Sequence, residues 1–265
     1  MTEQEYRSHP AISRSELWRI HESPQLFRYF KDHPEDHTPA LLFGQIFHKM
    51  ALEPDSFFDQ YAVAPEVDRR TKEGKMLWAE FVERSAGKEV IPADMYEQAR
   101  AMRDSIAAQP LAMKLLDGQR ETPFFWIDDQ TGEECKCRTD CLNTNYSRPI
   151  IVDVKSTTDA SKESFTRDAV KYGYDFQAAM YSEGVSKHIG QMPLFVFIVV
   201  EKTPPYAVNI LQADELFLRR GANLFRDYIG TYHDCKQTGN WYGYLGKKNQ
   251  INSLALPAWL AREVE

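Results

Sequence analysis

The sequence is poor in cysteine and has no long hydrophobic run. Four cysteines in 265 residues are too few for a disulfide scaffold, so we expect reduced thiols in a cytoplasmic protein. The longest strongly apolar stretch, residues 194–200, is far shorter than the roughly 20 residues that a membrane-spanning helix needs. The N-terminus has no basic segment followed by an apolar run, so no secretory signal is expected. We therefore expect no membrane partner.

The sequence also has fewer basic than acidic residues. Lys and Arg number 32 against 39 Asp and Glu, which gives a net charge of −7 and excludes a generally basic protein that coats nucleic acid. An enzyme that acts on nucleic acid is not excluded, because an acidic metal site and a local basic groove can coexist. The hydrophobic content of 43% and the aromatic content of 12% argue against disorder. We expect a single domain over residues 1–265.

Residues 1–115 show mainly helical patterns. Ser13 and Glu16 have the spacing of a capping box, and Ser23-Pro24 places a proline at the first position of the next helix. Further helices are predicted over residues 39–52, 76–85 and 93–108, the last of them stopped by Pro110.

Residues 116–240 change to a mixture of strands and helices. The predicted strands span residues 122–127, 133–142, 150–154, 194–201 and 206–211, with turns at 128–132 and at Pro204-Pro205. The predicted helices span residues 161–171, 175–188 and about 215–236, the last capped by Asp214. Residues 241–265 are expected to form a packed irregular tail. The order predicts an α/β fold with a mixed central β-sheet flanked by helices and a helical N-terminal extension.

Two acidic residues and a lysine near the predicted strand 150–154 could carry chemistry. Asp153 and Lys155 are two apart, so they project from one face, while Val154 points into the core. Asp140 lies near the end of the preceding strand and can meet Asp153 if the two strands are neighbours. Two carboxylates beside an ammonium can hold Mg²⁺ and position a water against a phosphodiester. Taken alone, Asp-x-Lys more often marks a solvated strand end.

The wider pattern resembles a nuclease family. Asp140, followed after 12 residues by Asp153-Val154-Lys155, resembles the PD-(D/E)xK nuclease core, without the nominal proline of the first motif. Further matches, spread over residues from about 12 to 200, narrow the resemblance to RecE-type exonucleases (exodeoxyribonuclease VIII), with lambda exonuclease more distant. These matching segments are Gly44-x-x-Phe47-His48, Leu52-Glu53-Pro54, Lys136-Cys137-Arg138-Thr139-Asp140, Asp153-Val154-Lys155-Ser156-Thr157 and Phe176-Gln177-Ala178-Ala179-Met180-Tyr181.

The resemblance implies a metal ligand set. A histidine on an apolar helix is more often a core residue, but the family places the one at position 48 next to the metal. Gly44, one turn earlier, would let the helix approach the sheet closely. The implied ligands are His48, Asp140, Asp153 and the carbonyl of Val154.

Three further residues have alternative interpretations. Glu121, expected just before the hairpin strand, is either a solvated strand end or, as the family pattern suggests, an acidic residue that faces the site or binds its water. Gln177 and Tyr181 share one helical face, which is either amphipathic surface or a support for the scissile phosphate or the lysine. The candidate catalytic residues are Asp140, Asp153, Lys155, Glu121 and Gln177.

Two cationic clusters could contact DNA. Residues 68–75 contain four cations; such runs are usually solvated loops, but beside a nuclease site they would contact phosphates. A second cluster lies at the start of the first predicted helix, where an anion such as a terminal phosphate is favoured. The candidate DNA-binding residues are Arg14, Ser15, Arg19, Arg69, Arg70, Lys72, Lys75 and Tyr181.

Three of the cysteines are close in sequence. On one strand, Cys135, Cys137 and Cys141 would share a face but spread over ~20 Å at 3.3 Å per residue. Their spacing is wrong for a zinc site, and we favour reduced thiols packed in the sheet over an iron–sulfur cluster.

The resemblance implies an activity. It implies a Mg²⁺-dependent exonuclease, with Mn²⁺ as a substitute, that degrades the 5′-ended strand of linear double-stranded DNA to mononucleotides. The remaining 3′ single strands would pass to a single-strand annealing recombinase, and the enzyme would form a ring-shaped homo-oligomer, a trimer or a tetramer, around DNA. The alternatives are a non-catalytic DNA-end-binding module and a repair endonuclease of the same fold. The complete set of Asp140, Asp153, Lys155 and His48 argues against the first alternative.

Overall fold

A computed structural model of the chain describes residues 1, 3–33 and 38–256, with only the backbone of residues 3 and 4. Residues 257–265 of the predicted tail lie outside the described residues. The helices are α1 Glu3–Ser8, α2 Arg14–Glu22, α3 Pro24–Asp32, α4 Pro39–Leu52, α5 Phe57–Gln60, α6 Lys72–Arg84, α7 Ala93–Ala107, α8 Pro110–Leu115, α9 Lys162–Lys171, α10 Tyr174–Ile189 and α11 Glu215–Thr238, with a 3₁₀ turn at Pro54–Ser56. The strands are β1 Ile12–Ser13, β2 Tyr61–Val63, β3 Glu89–Ile91, β4 Gln119–Ile127, β5 Glu134–Asn143, β6 Ile150–Thr157, β7 Leu194–Glu201 and β8 Val208–Gln212.

Capping residues explain where several helices begin. The hydroxyl of Ser13 accepts the backbone N–H of Glu16, whose carboxylate accepts the N–H of Ser13, so the predicted capping box at α2 is confirmed. Helix α4 has the predicted bounds, and Asp214 caps α11 as predicted. Helix α6 begins at Lys72, earlier than expected, because the hydroxyl of Thr71 accepts a backbone N–H in its first turn.

The central sheet is mixed, as predicted. Its order is β1-β5-β6-β7-β8, and β4 pairs along β5. Strand β6 is parallel to β7, whereas β4–β5, β5–β6 and β7–β8 are antiparallel. Strand β6 therefore lies in the middle, which explains its nearly continuous burial. A separate parallel pair, β2 and β3, lies in the N-terminal third.

A gap opens along one edge of β5. The ladder with β6 ends at the pair Cys141 and Val152, and the next strand on β5 is β1, at Cys135 and Lys136. The residues of β5 between these two ladders, including Asp140, therefore pair with neither β1 nor β6. The second half of β6, which carries Asp153, continues beyond the ladder with β5.

Helices cover both faces of the sheet. One hydrophobic cluster includes side chains of α2, α10 and α11, and the other includes side chains of α4, α7 and α8. Asp153 and Lys155 lie on the central strand between these layers. Among the residues that the structure describes, no helix is long and apolar enough to cross a membrane.

The cysteines do not share one face. Cys135 and Cys137 belong to one hydrophobic cluster and Cys141 to the other, so the predicted common face is wrong. The alternation of faces changes near Asp140, which is missing, with the opposing Glu121, from the otherwise continuous β4–β5 pairing. All four cysteines are free and buried.

A buried lysine fastens the first helix to the sheet. Lys136 of β5 is 4% exposed, and its Nζ donates to the backbone carbonyls of Tyr6 at 2.8 Å and His9 at 2.7 Å. Burial lowers the pKa of Lys136. The ring of Tyr6 also lies 5.1 Å from the Arg138 guanidinium, so α1 packs close to the gap in β5.

Candidate active site

Asp140 joins the two strands where their ladder stops. Its Oδ2 accepts the backbone N–H of Val154 at 2.8 Å, which satisfies a donor that β5 no longer reaches. The same oxygen lies 3.4 Å from Nδ1 of His48, which projects from α4. The structure therefore brings Asp140 and His48 together beside the backbone that follows Asp153.

Asp153 is the most deeply buried group of the site, with 1% exposure. Its Oδ1 accepts a hydrogen bond of 2.5 Å from Nε2 of Gln177, and its Oδ2 lies 2.6 Å from Nζ of Lys155. Apart from this ion pair, Oδ2 has no hydrogen-bond partner among the described residues. One carboxylate oxygen is thus held in place, and the other retains unused acceptor capacity.

Charge at the site is unevenly placed. Burial raises the pKa of Asp153, and nearby Asp140 adds to this, although Lys155 opposes it. Burial disfavours the charge on Lys155, but Asp153 and Asp140 outweigh it and raise the pKa of that ammonium. Lys155 is therefore held as a cation against the two carboxylates.

Tyr174 is a site residue that the sequence did not reveal. Its ring centroid lies 4.8 Å from Nζ of Lys155, a cation–π arrangement that favours the charged ammonium. Tyr174 is the first residue of α10, one position before the predicted helix. The only available signal was an aromatic residue between two helices, which is too common to indicate a site.

His48 reaches the site without the predicted help from Gly44. A Cβ placed on Gly44 would have no neighbour within 4 Å, so this glycine does not permit a close approach to the sheet. That prediction is wrong. The side chain of His48 is 32% exposed, which makes it a partly accessible imidazole and not a core residue.

Glu121 lies inside strand β4, not before it as expected. Its φ of 48° is unusual for a residue with a side chain, and it occupies the register position opposite Asp140. One carboxylate oxygen lies 2.8 Å from Nε of Arg138. The strained backbone adjoins the candidate site, as such conformations often do.

The two predicted residues of α10 are both removed from the surface. Gln177 is 7% exposed and contacts Asp153 instead of Lys155. Tyr181 packs against the core cluster, and burial raises the pKa of its phenol well above the usual value. The interpretation as amphipathic surface is wrong for this face.

The candidate DNA-binding residues at the start of α2 have different environments. Nη2 of Arg14 donates to the carbonyls of Tyr172 and Gly173, so this side chain fixes the α9–α10 turn. Ser15 is exposed, and the Arg19 guanidinium lies 4.3 Å from the ring of Phe30.

The cations around α6 are at the surface. The side chain of Arg70 is 96% exposed, and its Nε lies 3.9 Å from Oδ1 of Asp68. The Arg69 guanidinium lies 4.5 Å from the centroid of the Trp78 ring. All four are accessible to a ligand. They are Arg69, Arg70, Lys72 and Lys75.

The donors fit a hard divalent cation in their chemistry. Asp140, Asp153, His48 and the carbonyl of Val154 supply oxygen and imidazole ligands, and the Asp153 Oδ2, paired only with the Lys155 ammonium, has acceptor capacity left. Within the described ranges, no three His, Cys, Asp or Glu side chains are grouped closely enough to hold a metal as they stand.

Comparisons with known proteins show the family and the fold of the chain. Residues 13–253 match a family described as PDDEXK-like domain of unknown function (DUF3799). The crystal structure of a presumed exonuclease from Eubacterium rectale has a similar fold, with a TM-score of 0.62, 15% identity, and coverage of 98% of this chain and 97% of that chain. The structure of SSO0001 gives a TM-score of 0.39 at 12% identity, over 86% of this chain and 81% of that chain, and carries no weight. No curated protein is significantly similar in sequence.

Proposed function

Because the chain belongs to the PDDEXK-like family DUF3799, and so has the nuclease fold that its motifs predicted, we propose that it is a metal-dependent DNA exonuclease. The observation that carries this proposal is the meeting of Asp140, Asp153 and Lys155 at the gap beside β6. Burying charged groups is expensive, so a buried carboxylate paired with an ammonium beside a gap in the sheet is a candidate for function. Phosphodiester hydrolysis uses both groups.

The proposed site residues have two roles: some would bind the cation, and the others would position the attacking water or the phosphate. Asp140, Asp153, His48 and the Val154 carbonyl would hold the cation, which when bound supplies neutralisation of phosphate charge. Gln177 fixes the rotation of the Asp153 carboxylate. Lys155 orients the attacking water or a phosphate oxygen.

The finer activity follows the resemblance to RecE-type exonucleases. The proposed substrate is linear double-stranded DNA, cut in the 5′ to 3′ direction to mononucleotides with Mg²⁺ or Mn²⁺, leaving 3′ single strands. The name of the Eubacterium rectale protein supports an exonuclease over a repair endonuclease.

One assay separates these activities. Linear, nicked and covalently closed duplexes are incubated with Mg²⁺, Mn²⁺ or EDTA. We expect metal-dependent release of mononucleotides from linear DNA only, and none from the Asp140→Ala or Asp153→Ala variants. Cutting of closed circles would indicate an endonuclease, and binding of ends without hydrolysis would indicate the non-catalytic module. Near-normal turnover by Asp153→Ala would remove it from the metal site.

We also propose that a 5′-phosphate improves use of an end through cations at the start of α2. Arg19 and Ser15 are the accessible members of that cluster, since Arg14 is committed to the α9–α10 turn. Duplexes that differ only in a 5′-phosphate or 5′-hydroxyl should be degraded at different rates, and Arg19→Ala should reduce the difference. Equal rates for wild-type protein would contradict the proposal.

The proposed assembly is a ring-shaped trimer or tetramer around DNA, with an annealing recombinase as its partner on the 3′ strand. Multi-angle light scattering should give three or four times the mass of the chain. A monomeric mass at working concentration, with full activity, would rule out the ring.

A further inference from the structure

Two aromatic rings lead from the site to solvent. The ring of Tyr174 lies 4.8 Å from Nζ of Lys155, and the ring of Tyr172 lies 6.0 Å from that of Tyr174, centroid to centroid. Tyr172 is 45% exposed. The Tyr172 ring is therefore partly exposed to solvent, next to Tyr174, whose ring contacts Lys155.

The turn that carries Tyr172 is rigid. Arg14 donates to the carbonyls of Tyr172 and Gly173, the latter at 2.9 Å. Gly173 has a φ of 65°, and a Cβ there would lie 2.1 Å from the ring of Trp18. The backbone of Tyr172 is thus fixed from α2, although its own side chain is packed little.

We propose that Tyr172 is a stacking platform for a nucleobase of the strand being cut. This inference rests on the proposed nuclease function. A nuclease of this kind must hold the nucleotide beside the scissile phosphate, and an exposed, preorganised ring can do so for any base because every base has a π face. Nζ of Lys171 lies over the same ring, 5.1 Å from its centroid. A base that stacks on that face would displace the ammonium, which could then pair with the adjoining phosphate.

Protein stability gives no comparable reason for an aromatic residue at this position. The side chain is 45% exposed, and its one aromatic neighbour among the described contacts is Tyr174. Tyr172→Ala should therefore remain folded, with a smaller loss of stability than truncation of a fully buried aromatic residue causes. This separates the binding role from folding.

The first test compares three variants. Base–aromatic stacking is worth ~1–3 kcal/mol, so Tyr172→Ala should raise KM for linear DNA by about 5- to 150-fold with a much smaller change in kcat. Tyr172→Trp should restore binding. Tyr146→Ala is the matched control, because Tyr146 is 42% exposed but lies in the loop before β6, and it should behave like wild type.

The second test identifies the base directly. Duplexes carry an abasic site at each of the first positions from the 5′ end, and binding is measured with Ca²⁺ in place of Mg²⁺. At the stacked position, the penalty of Tyr172→Ala should disappear, because there is no base to lose. A 2-aminopurine at that position should be quenched by the wild-type protein and not by Tyr172→Ala.

The outcomes are distinct. If Tyr172→Ala binds and cuts like Tyr146→Ala, or if its penalty is the same on every abasic duplex, the platform does not exist. If the wild-type protein neither binds nor cuts DNA ends, the proposed function itself fails and the platform with it.

Discussion

Lys155 carries an ammonium, which cannot ligate a metal ion, yet it lies on the same strand face as Asp153. Its contribution should be made in the transition state. We predict that Lys155→Ala binds metal and DNA ends, while single-turnover cleavage falls on the order of 10²- to 10⁴-fold. Calorimetric metal titration and rapid-quench cleavage on the same variant separate the two roles.

The exposed Lys162→Ala variant is the control for loss of one positive charge, and it should cleave normally. If Lys155→Ala instead loses metal affinity and cleaves normally at saturating metal, Lys155 supports the site structurally and the mechanism above is wrong.

The Asp153 and Lys155 pair also predicts a stability result. Removal of one partner leaves the other charge buried, which typically costs about 3–5 kcal/mol, whereas replacing both with neutral groups is often close to neutral. Asp153→Ala should therefore be clearly destabilised, with Asp140 limiting the loss, and the double variant Asp153→Ala/Lys155→Met should regain stability.

Urea denaturation of the wild type, Asp153→Ala, Lys155→Met and the double variant completes this cycle. Additive effects of the two substitutions would show that the ion pair is not coupled in the folded protein. The same measurement verifies that an inactive Asp153 variant is folded.

At the scale of single residues, the sequence predicted which side chains lie near one another but not the hydrogen bonds between them. The period of two in a strand places Asp153 and Lys155 together whatever the surroundings are. The bond from the Val154 N–H to Asp140 depends on where the β5–β6 ladder ends, which is a property of the assembled sheet. The positive φ of Glu121 has no local sequence signal, since glycine is absent there.

At the scale of helices and strands, the sequence predicted best the elements that have long apolar patterns or capping residues. Helix α4 and strand β7 have their predicted bounds, because long apolar patterns and caps define them. Strands β1, β2 and β3 were missed, as were α1, α5 and α8. The three strands have only two or three residues and exist through pairing with distant partners. The apolar pattern predicted the start of α6 at residue 76, four residues too late, because the first turn of the helix is polar.

Glycines in two helices should respond in opposite ways to alanine. Gly44 faces open space, so Gly44→Ala should stabilise α4 by about 0.5–1 kcal/mol. At Gly221 of α11, a Cβ would lie 1.9 Å from the carbonyl oxygen of Asp175, so Gly221→Ala must separate α11 from α10 and should destabilise the protein. Chemical denaturation of both variants measures the difference, and equal effects would refute the packing described for these helices.

At the scale of the whole molecule, the four cysteines report on unfolding. Burial raises the pKa of the Cys141 thiol to about 11 and raises the pKa of Cys135 and Cys137 further. The folded protein should therefore not react with Ellman's reagent at pH 8, and all four thiols should react in urea. Rapid reaction of Cys135, Cys137 or Cys141 under native conditions would show that the sheet opens locally, and rapid reaction of Cys235 would show that α11 does.

The architecture of the sheet was predictable in class but not in detail. Alternation of strands and helices indicated a mixed sheet with flanking helices, and the motif spacing indicated the nuclease core. The gap between β1 and β6 was not predictable, because it arises where a two-residue strand that no pattern marks meets β5. The buried attachment of α1 through Lys136 has the same origin.

The hydrogen bond from Val154 to Asp140 has a consequence for anyone who wishes to trap the protein on DNA. The carboxylate closes an open sheet edge and also belongs to the proposed metal site, so its removal would change two properties at once. Asparagine retains an oxygen that can accept the same N–H and discards the negative charge. Asp140→Asn, and not Asp140→Ala, is therefore the variant suited to capturing an intact complex by crystallography.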